Sequence, residues 1–193
     1  MKAQRIALCL GHARPGDSGA AAADCHTTER KFNRAVIERL TGVLRSDGVE
    51  VIPVLEYRGS TYGTAMLWLS RYLKDLEATA AIEFHFNAAN GSAEGHEFLH
   101  WAQSLRGKTL ATDMLLAFDA EFPTETSRGL KPISFAGRGA AFLQHTHCPA
   151  CIAEPFFGDN LRQWSLFNSP SGLERLVNAY AAGIKSWIAS QET

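Results

Sequence analysis

An α/β sandwich, a mostly parallel twisted sheet flanked by helices on both faces, is the fold class this sequence predicts, and three observations carry it. Short apolar runs of strand length alternate with longer stretches whose apolar residues recur at helical spacing. Several of those runs are apolar throughout, the pattern of strands covered on both faces. Three of them lead into an ionisable or ligating side chain: His12, His85 and Glu154. In open α/β sheets sites form at the carboxyl ends of strands, so these three side chains predict one shared site.

Composition fits this class. A chain of 193 residues with 46% apolar and 20% charged residues predicts one domain, residues 1–193, with a substantial core. The formal net charge of −1 supplies no basic field, which argues against nucleic acid or an anionic membrane surface as partner. The first apolar stretch is too short for a membrane span and ends in Gly-His rather than a small-residue cleavage site. The expectation is a protein made in the cytoplasm without a signal peptide and acting as a monomer. Four cysteines in a chain of this length are expected to be reduced.

Taken in order, residues 6–10 form a buried strand that reaches Gly11-His12, and a turn-rich stretch follows. Phe32, Val36, Leu40, Val43 and Leu44 recur at helical spacing and predict a helix over 28–47, with Gly48 as its stop. Glu29 shares the stripe of Phe32 in the first turn, so its carboxylate points toward the core. A strand over 49–54, a loop over 57–64 and a helix over 65–76 lead to the central strand, 80–86. That strand carries His85, then Asn87, and breaks at Asn90-Gly91-Ser92. Residues 95–101 alternate as an edge strand, 108–122 form an amphipathic helix and 129–135 a Gly-rich loop. A short helix over 140–146 precedes the last strand, 150–154, whose end is kept extended by Pro155. Apolar residues from Leu173 to Ile188 predict a closing helix over 172–190.

Hydrolytic zinc takes three protein ligands from His, Glu or Asp and keeps a fourth position for water. His12, Glu29 and His85 supply such a set, and Glu154 remains as a second carboxylate to take and return a proton. Taken singly each has a structural alternative. A strand-end histidine serves as a hydrogen-bonded structural residue, a first-turn glutamate favours the helix dipole, and Glu154 pairs with an arginine.

In order along the chain, these residues fall in motifs that resemble the zinc-dependent N-acetylmuramoyl-L-alanine amidases. Gly11-His12 followed by Gly16-Asp17-Ser18-Gly19-Ala20 resembles the family's Gly-His-Gly-Gly…Asp-x-Gly-Ala opening. Thr28-Glu29-Arg30-Lys31-Phe32-Asn33 resembles its Glu-Lys-x-x-Asn helix start, and Phe84-His85-Phe86-Asn87-Ala88 its Ile-His-x-Asn-Ala strand. Arg128-Gly129-Leu130-Lys131 and the run from Ala153 to Asn160 resemble its Arg-Gly-x-Lys and Glu-x-Gly-Phe-x-x-Asn signatures. The resemblance implies a phosphorylase/hydrolase-like sandwich, zinc on His12, Glu29 and His85, and Glu154 as the catalytic carboxylate. It also implies the substrate: the amide between the lactyl group of N-acetylmuramic acid and L-alanine of the stem peptide. Three departures stand out: Cys9 where the family commonly has aspartate, Ala13 and Arg14 where it has glycines, and Pro155 where it has glycine.

Other residues carry second readings. Cys148 and Cys151, beside His145 and His147, form a Cys-x-x-Cys that reads as packing or as a structural zinc knot. His96 and His100 read as solvated strand histidines or substrate contacts. Trp68, Tyr72 and Trp101 read as packing or as sugar platforms. Asn87, Arg128 and Lys131 are candidate substrate contacts, the two cations for peptide carboxylates. The leading reading is an endolysin-like peptidoglycan amidase that reaches the wall after lysis and does not insert into membrane. A related zinc carboxypeptidase or acyl-amino-acid amidohydrolase, and a wall-binding protein without catalysis, are the alternatives.

Overall fold

The computed structural model describes residues 4–191 except residue 136. Its elements are β1 (Arg5–Leu10), α1 (Glu29–Ser46), β2 (Glu50–Val54), α2 (Tyr62–Asp75), β3 (Ala80–Phe84) and β4 (His96–Trp101). They continue with α3 (Leu105–Glu121), β5 (Ser127–Ile133), α4 (Ala140–His145), β6 (Ala150–Glu154), α5 (Leu161–Phe167) and α6 (Pro170–Ser190). One six-stranded sheet runs β2-β1-β3-β6-β4-β5. Every neighbouring pair is parallel except β4 with β6. The mostly parallel sandwich expected from the apolar runs is therefore the fold observed.

Strand order explains where a site can form. The chain leaves β1 for β2 on one side and returns past β1 to β3 on the other. Right-handed crossovers then put α1 and α2 on opposite faces and open a crevice at the carboxyl ends of β1 and β3. β6 lies parallel beside β3, with Phe84 level with Ala153, so its carboxyl end borders the same crevice.

Helix starts follow local chemistry. Thr28 caps α1 by accepting the Lys31 N–H, and Thr61 and Thr64 cap α2 reciprocally. That cap starts α2 at Tyr62, three residues before the expected start at Ala65 and inside the stretch expected to be a loop. Ser104 starts α3 at Leu105 in the same way, ahead of the exposed first turn that hid it. Asn160 caps the unanticipated α5, and Ser169 with Pro170 starts α6.

The core lies on both faces of the sheet. Phe84 meets Tyr180 of α6 edge-on at 4.9 Å between ring centroids, and Phe156 stacks on Phe167 at 4.5 Å. Two expectations are corrected in this half of the sheet. Residues 95–101 do not form an edge: β4 pairs with β6 on one side and β5 on the other. Residues 129–135 are not a Gly-rich loop, since β5 occupies most of them and is itself the edge. As a result His96 and His100 are buried, not solvated. His96 Nε2 lies 2.7 Å from Asp119 Oδ1, and His100 Nδ1 lies 3.0 Å from the Trp101 carbonyl. Among the described residues no helix is long and apolar enough to cross a membrane.

Candidate functional site

β1 delivers His12 through Gly11, and the backbone turns sharply there, with His12 in the left-handed region at φ 56°. The loop back to α1 is held by Arg30, whose guanidinium donates to the carbonyls of Arg14 and Asp17. Gly19 lies at φ 68°, and a Cβ there would stand 2.6 Å from Glu29 Oε2 and 2.7 Å from His12 Cδ2. Only glycine lets this loop close over both side chains.

Glu29 enters from the first turn of α1 and is buried at 3% exposure, as its place on the apolar stripe predicts. Its Oε2 lies 3.2 Å from His12 Nε2 and accepts the Ala20 N–H at 3.0 Å. Its Oε1 lies 2.8 Å from His85 Nδ1 and accepts the Phe86 N–H at 3.2 Å. The two imidazoles meet edge-on at 5.0 Å between centroids. One ligand atom from each of His12, Glu29 and His85 can thus be chosen so that all lie within 4.8 Å of one another, a group able to hold a metal ion.

Outside this set, each histidine has a further carboxylate. His12 Nδ1 lies 2.8 Å from Asp17 Oδ1, and His85 Nε2 lies 3.3 Å from Glu83 Oε2. The Tyr57 hydroxyl donates to Glu83 Oε1 at 2.9 Å. Burial alone would raise the Glu29 pKa, but hydrogen bonds to both imidazoles and their charges hold it well below the usual carboxylate range. For the histidines burial acts downward and is outweighed: Glu29 raises His12, and Glu29 with Glu83 raises His85. The pocket therefore concentrates negative charge around two imidazoles, an arrangement that favours a cation.

Glu154 ends β6 across this pocket, buried at 3% exposure. Its Oε1 pairs with Arg138 Nη2 at 3.2 Å, while Oε2 is buried without a hydrogen-bond partner among the described residues. Burial pushes its pKa up to about 7, against the opposing charges of His85 and Arg138. His12, Glu29, His85, Glu83, Glu154, Tyr57 and Arg138 all line one cavity of ≈ 510 Å³. A second groove of ≈ 310 Å³ adjoins it along Glu97, Lys131, Pro132 and Ile133 and shares Leu99, Arg138 and Glu154.

The structure gathers the four residues expected at strand and helix ends, and it places the other three candidates slightly apart. Asn87 donates to Glu97 Oε1 at 3.0 Å, Arg128 Nε pairs with Glu97 Oε2 at 2.8 Å, and Lys131 Nζ stands 4.0 Å from the same oxygen. Glu97 is level with Glu154 across the antiparallel pair, so this cluster borders the site. Trp68 stacks on Tyr72 at 4.9 Å, and Trp101 packs edge-on to Phe135. Sequence reasoning gave no role to Asp17, Tyr57, Glu83, Glu97 or Arg138. Glu83 had a signal: an acid in an apolar strand, two residues from His85 and so on the same side.

Comparison with known proteins follows this geometry. The family model for N-acetylmuramoyl-L-alanine amidase matches residues 6–186. The catalytic domain of CwlV, an N-acetylmuramoyl-L-alanine amidase from Bacillus (Paenibacillus) polymyxa var. colistinus, superposes with a TM-score of 0.81 at 19% identity, covering 96% of this chain and 98% of that one. An N-acetylmuramoyl-L-alanine amidase from Clostridium difficile 630 gives 0.82 at 17% identity, over 97% and 98%. The catalytic domain of the CD27L endolysin targeting Clostridia difficile gives 0.73 at 21%, over 97% of each. No curated protein sequence matches the chain. The structures share the fold, and the family model spans nearly every element built above: the chain belongs to the N-acetylmuramoyl-L-alanine amidase family and is a peptidoglycan amidase.

Proposed function

We propose that His12, Glu29 and His85 hold one zinc ion and that Glu154 is the general base and acid for hydrolysis of the amide between the N-acetylmuramic acid lactyl group and L-alanine. The observation that carries this reading is Glu29 set between the two imidazoles, with Glu154 lining the same cavity and its buried Oε2 unpartnered among the described residues. The donor set fits zinc: two imidazoles and one carboxylate match hydrolytic zinc sites, and each histidine has a carboxylate at its outer nitrogen. When bound, zinc supplies a Lewis acid that polarises a carbonyl and lowers the pKa of water to about 7.

The chain's own residues supply the rest. Arg138 engages Glu154 Oε1 and leaves Oε2 free to accept a proton and return it to the leaving L-alanine amine. Burial keeps the carboxyl pKa near neutrality, where both halves of that exchange are efficient, and a neighbouring cation would lower it. Asn87 orders Glu97, and Glu97 takes up much of the charge of Arg128. Lys131, farther from Glu97 and lining the second groove with Arg138, is the better placed of the two expected cations for a stem-peptide carboxylate. Residues 1–193 act as one catalytic unit and a monomer, with a lytic, endolysin-like use of the activity on the cell wall.

The test is digestion of peptidoglycan with purified protein, with product mass spectrometry and metal analysis. New L-alanine amino termini with uncut sugar chains are expected. Loss of a terminal residue would indicate a carboxypeptidase, and binding without cleavage a wall-binding protein. Glu154→Gln should retain zinc while turnover falls about 10²–10⁴-fold. Full zinc occupancy in a His12→Ala/His85→Ala protein would move the metal elsewhere.

A further inference from the structure

Glu83 is an acid in the middle of the sheet, 2% exposed, in a strand whose other residues are all apolar. Burying a carboxylate costs several kcal/mol unless its oxygens are well partnered. Its partners are the Tyr57 hydroxyl on Oε1 and His85 Nε2 on Oε2. Glu83 lies outside the three residues whose ligand atoms converge, on the opposite side of the His85 ring from Glu29.

We propose that Glu83 is the positioning residue of His85: its carboxylate accepts the Nε2–H proton and so fixes the tautomer and rotation that aim Nδ1 at the cation site. The inference rests on the zinc reading above and adds a residue to it. Three observations converge on it. Strand periodicity puts Glu83 and His85 on one side of β3, two residues apart, so the contact is built into the backbone. The ring lies against Gly11, where a Cβ would come within 2.6 Å of Nε2, so backbone packing and the carboxylate restrict the same ring. Glu83 is also the register partner of Cys9 on β1. Cys9 stands where the resembled pattern has an aspartate, so the acid missing from β1 stands one strand across, on β3.

A ligating histidine whose outer N–H meets a carboxylate is held in one orientation and is a more basic donor, and losing such a partner costs about 10–100-fold in metal affinity. Three proteins test this: wild type, Glu83→Gln and Tyr57→Phe. Zinc affinity is measured by competition with a chelator, and the His85 ring nitrogens are observed by ¹⁵N-edited NMR on the zinc-loaded wild type. The expected results are an Nε2-bound proton on His85, at least about tenfold weaker zinc in Glu83→Gln, and a change under about threefold in Tyr57→Phe. Glu83→Gln keeps the shape, and Tyr57→Phe removes the hydrogen bond to Glu83 Oε1 while leaving the His85 contact.

Equal losses in both variants would reduce Glu83 to packing and overturn the proposal. Wild-type affinity in Glu83→Gln, or a proton on Nδ1 with Nε2 metal-bound, would do the same while leaving the zinc reading intact. The NMR result decides the matter even if Glu83→Gln fails to fold. A wild-type protein that binds no zinc would remove both readings together.

Discussion

Gly19 shows how little room the site leaves. A methyl group there would meet Glu29 Oε2 and His12 Cδ2 well inside contact distance, on a backbone that L-residues adopt at a cost. Gly19→Ala is therefore expected to fold yet lose most of its zinc, measured as metal per protein after gel filtration. Glu154 makes a pH prediction with a definite sign. Its folded pKa is about 7, above the ordinary 4.5, because burial opposes its charge. Its contribution to stability is fully present below about 4.5 and is lost as pH rises through 7, an effect of at most about 3 kcal/mol. In metal-free protein, wild type should lose stability relative to Glu154→Gln across that window in denaturant titrations; parallel pH profiles would refute the assignment. Both side chains were legible as candidates because position marked them: a first-turn stripe for Glu29, a strand end before proline for Glu154. Asp17 was not, since its role depends on which imidazole nitrogen faces which way, and Glu83 showed only as an acid in an apolar strand two residues before His85.

At the scale of elements, β4, β5 and β6 separate what sequence could express from what it could not. β6 was legible from its apolar run, and its Cys151 is wholly buried, with a thiol raised in pKa by burial alone. Cys148 and Cys151 belong to no metal-holding group among the described residues. Replacing both by alanine is expected to leave zinc content unchanged and to cost about 1–3 kcal/mol of stability, read from thermal or denaturant unfolding. A stoichiometric loss of metal would revive the zinc knot. Residues 129–135 carry the sequence pattern of a Gly-rich loop, yet β5 is an edge, where a strand tolerates a proline such as Pro132, and Arg128 and Lys131 protect it from further pairing. β4 looked like an edge through its alternation. Only the antiparallel pairing with β6, a long-range choice, puts it inside and buries His96 and His100.

For the whole molecule, the strand order turns separate segments into a site. His12, His85 and Glu154 are 73 and 69 positions apart in turn, and the adjacency of β1, β3 and β6 brings them to one end of the sheet. Apolar runs and helical periodicities made the class of fold legible, and three strand ends with the first turn of α1 made the four candidate site residues legible. The second groove was not, because Leu99, Lys131, Ile133 and Arg138 come together only through β4–β5 pairing and the loop that follows β5.

The left-handed turn at His12 carries a consequence for stability. A non-glycine residue held at φ 56° costs on the order of 1–3 kcal/mol, and glycine there would recover much of it. His12→Gly and His12→Ala both lose the ring's contacts with Glu29 and Asp17, so of these two variants, each stripped of metal, the glycine one should be the harder to unfold. Measuring metal-free unfolding of His12→Gly against His12→Ala, which keeps the strain and equally lacks the ring, would read the cost of that turn directly.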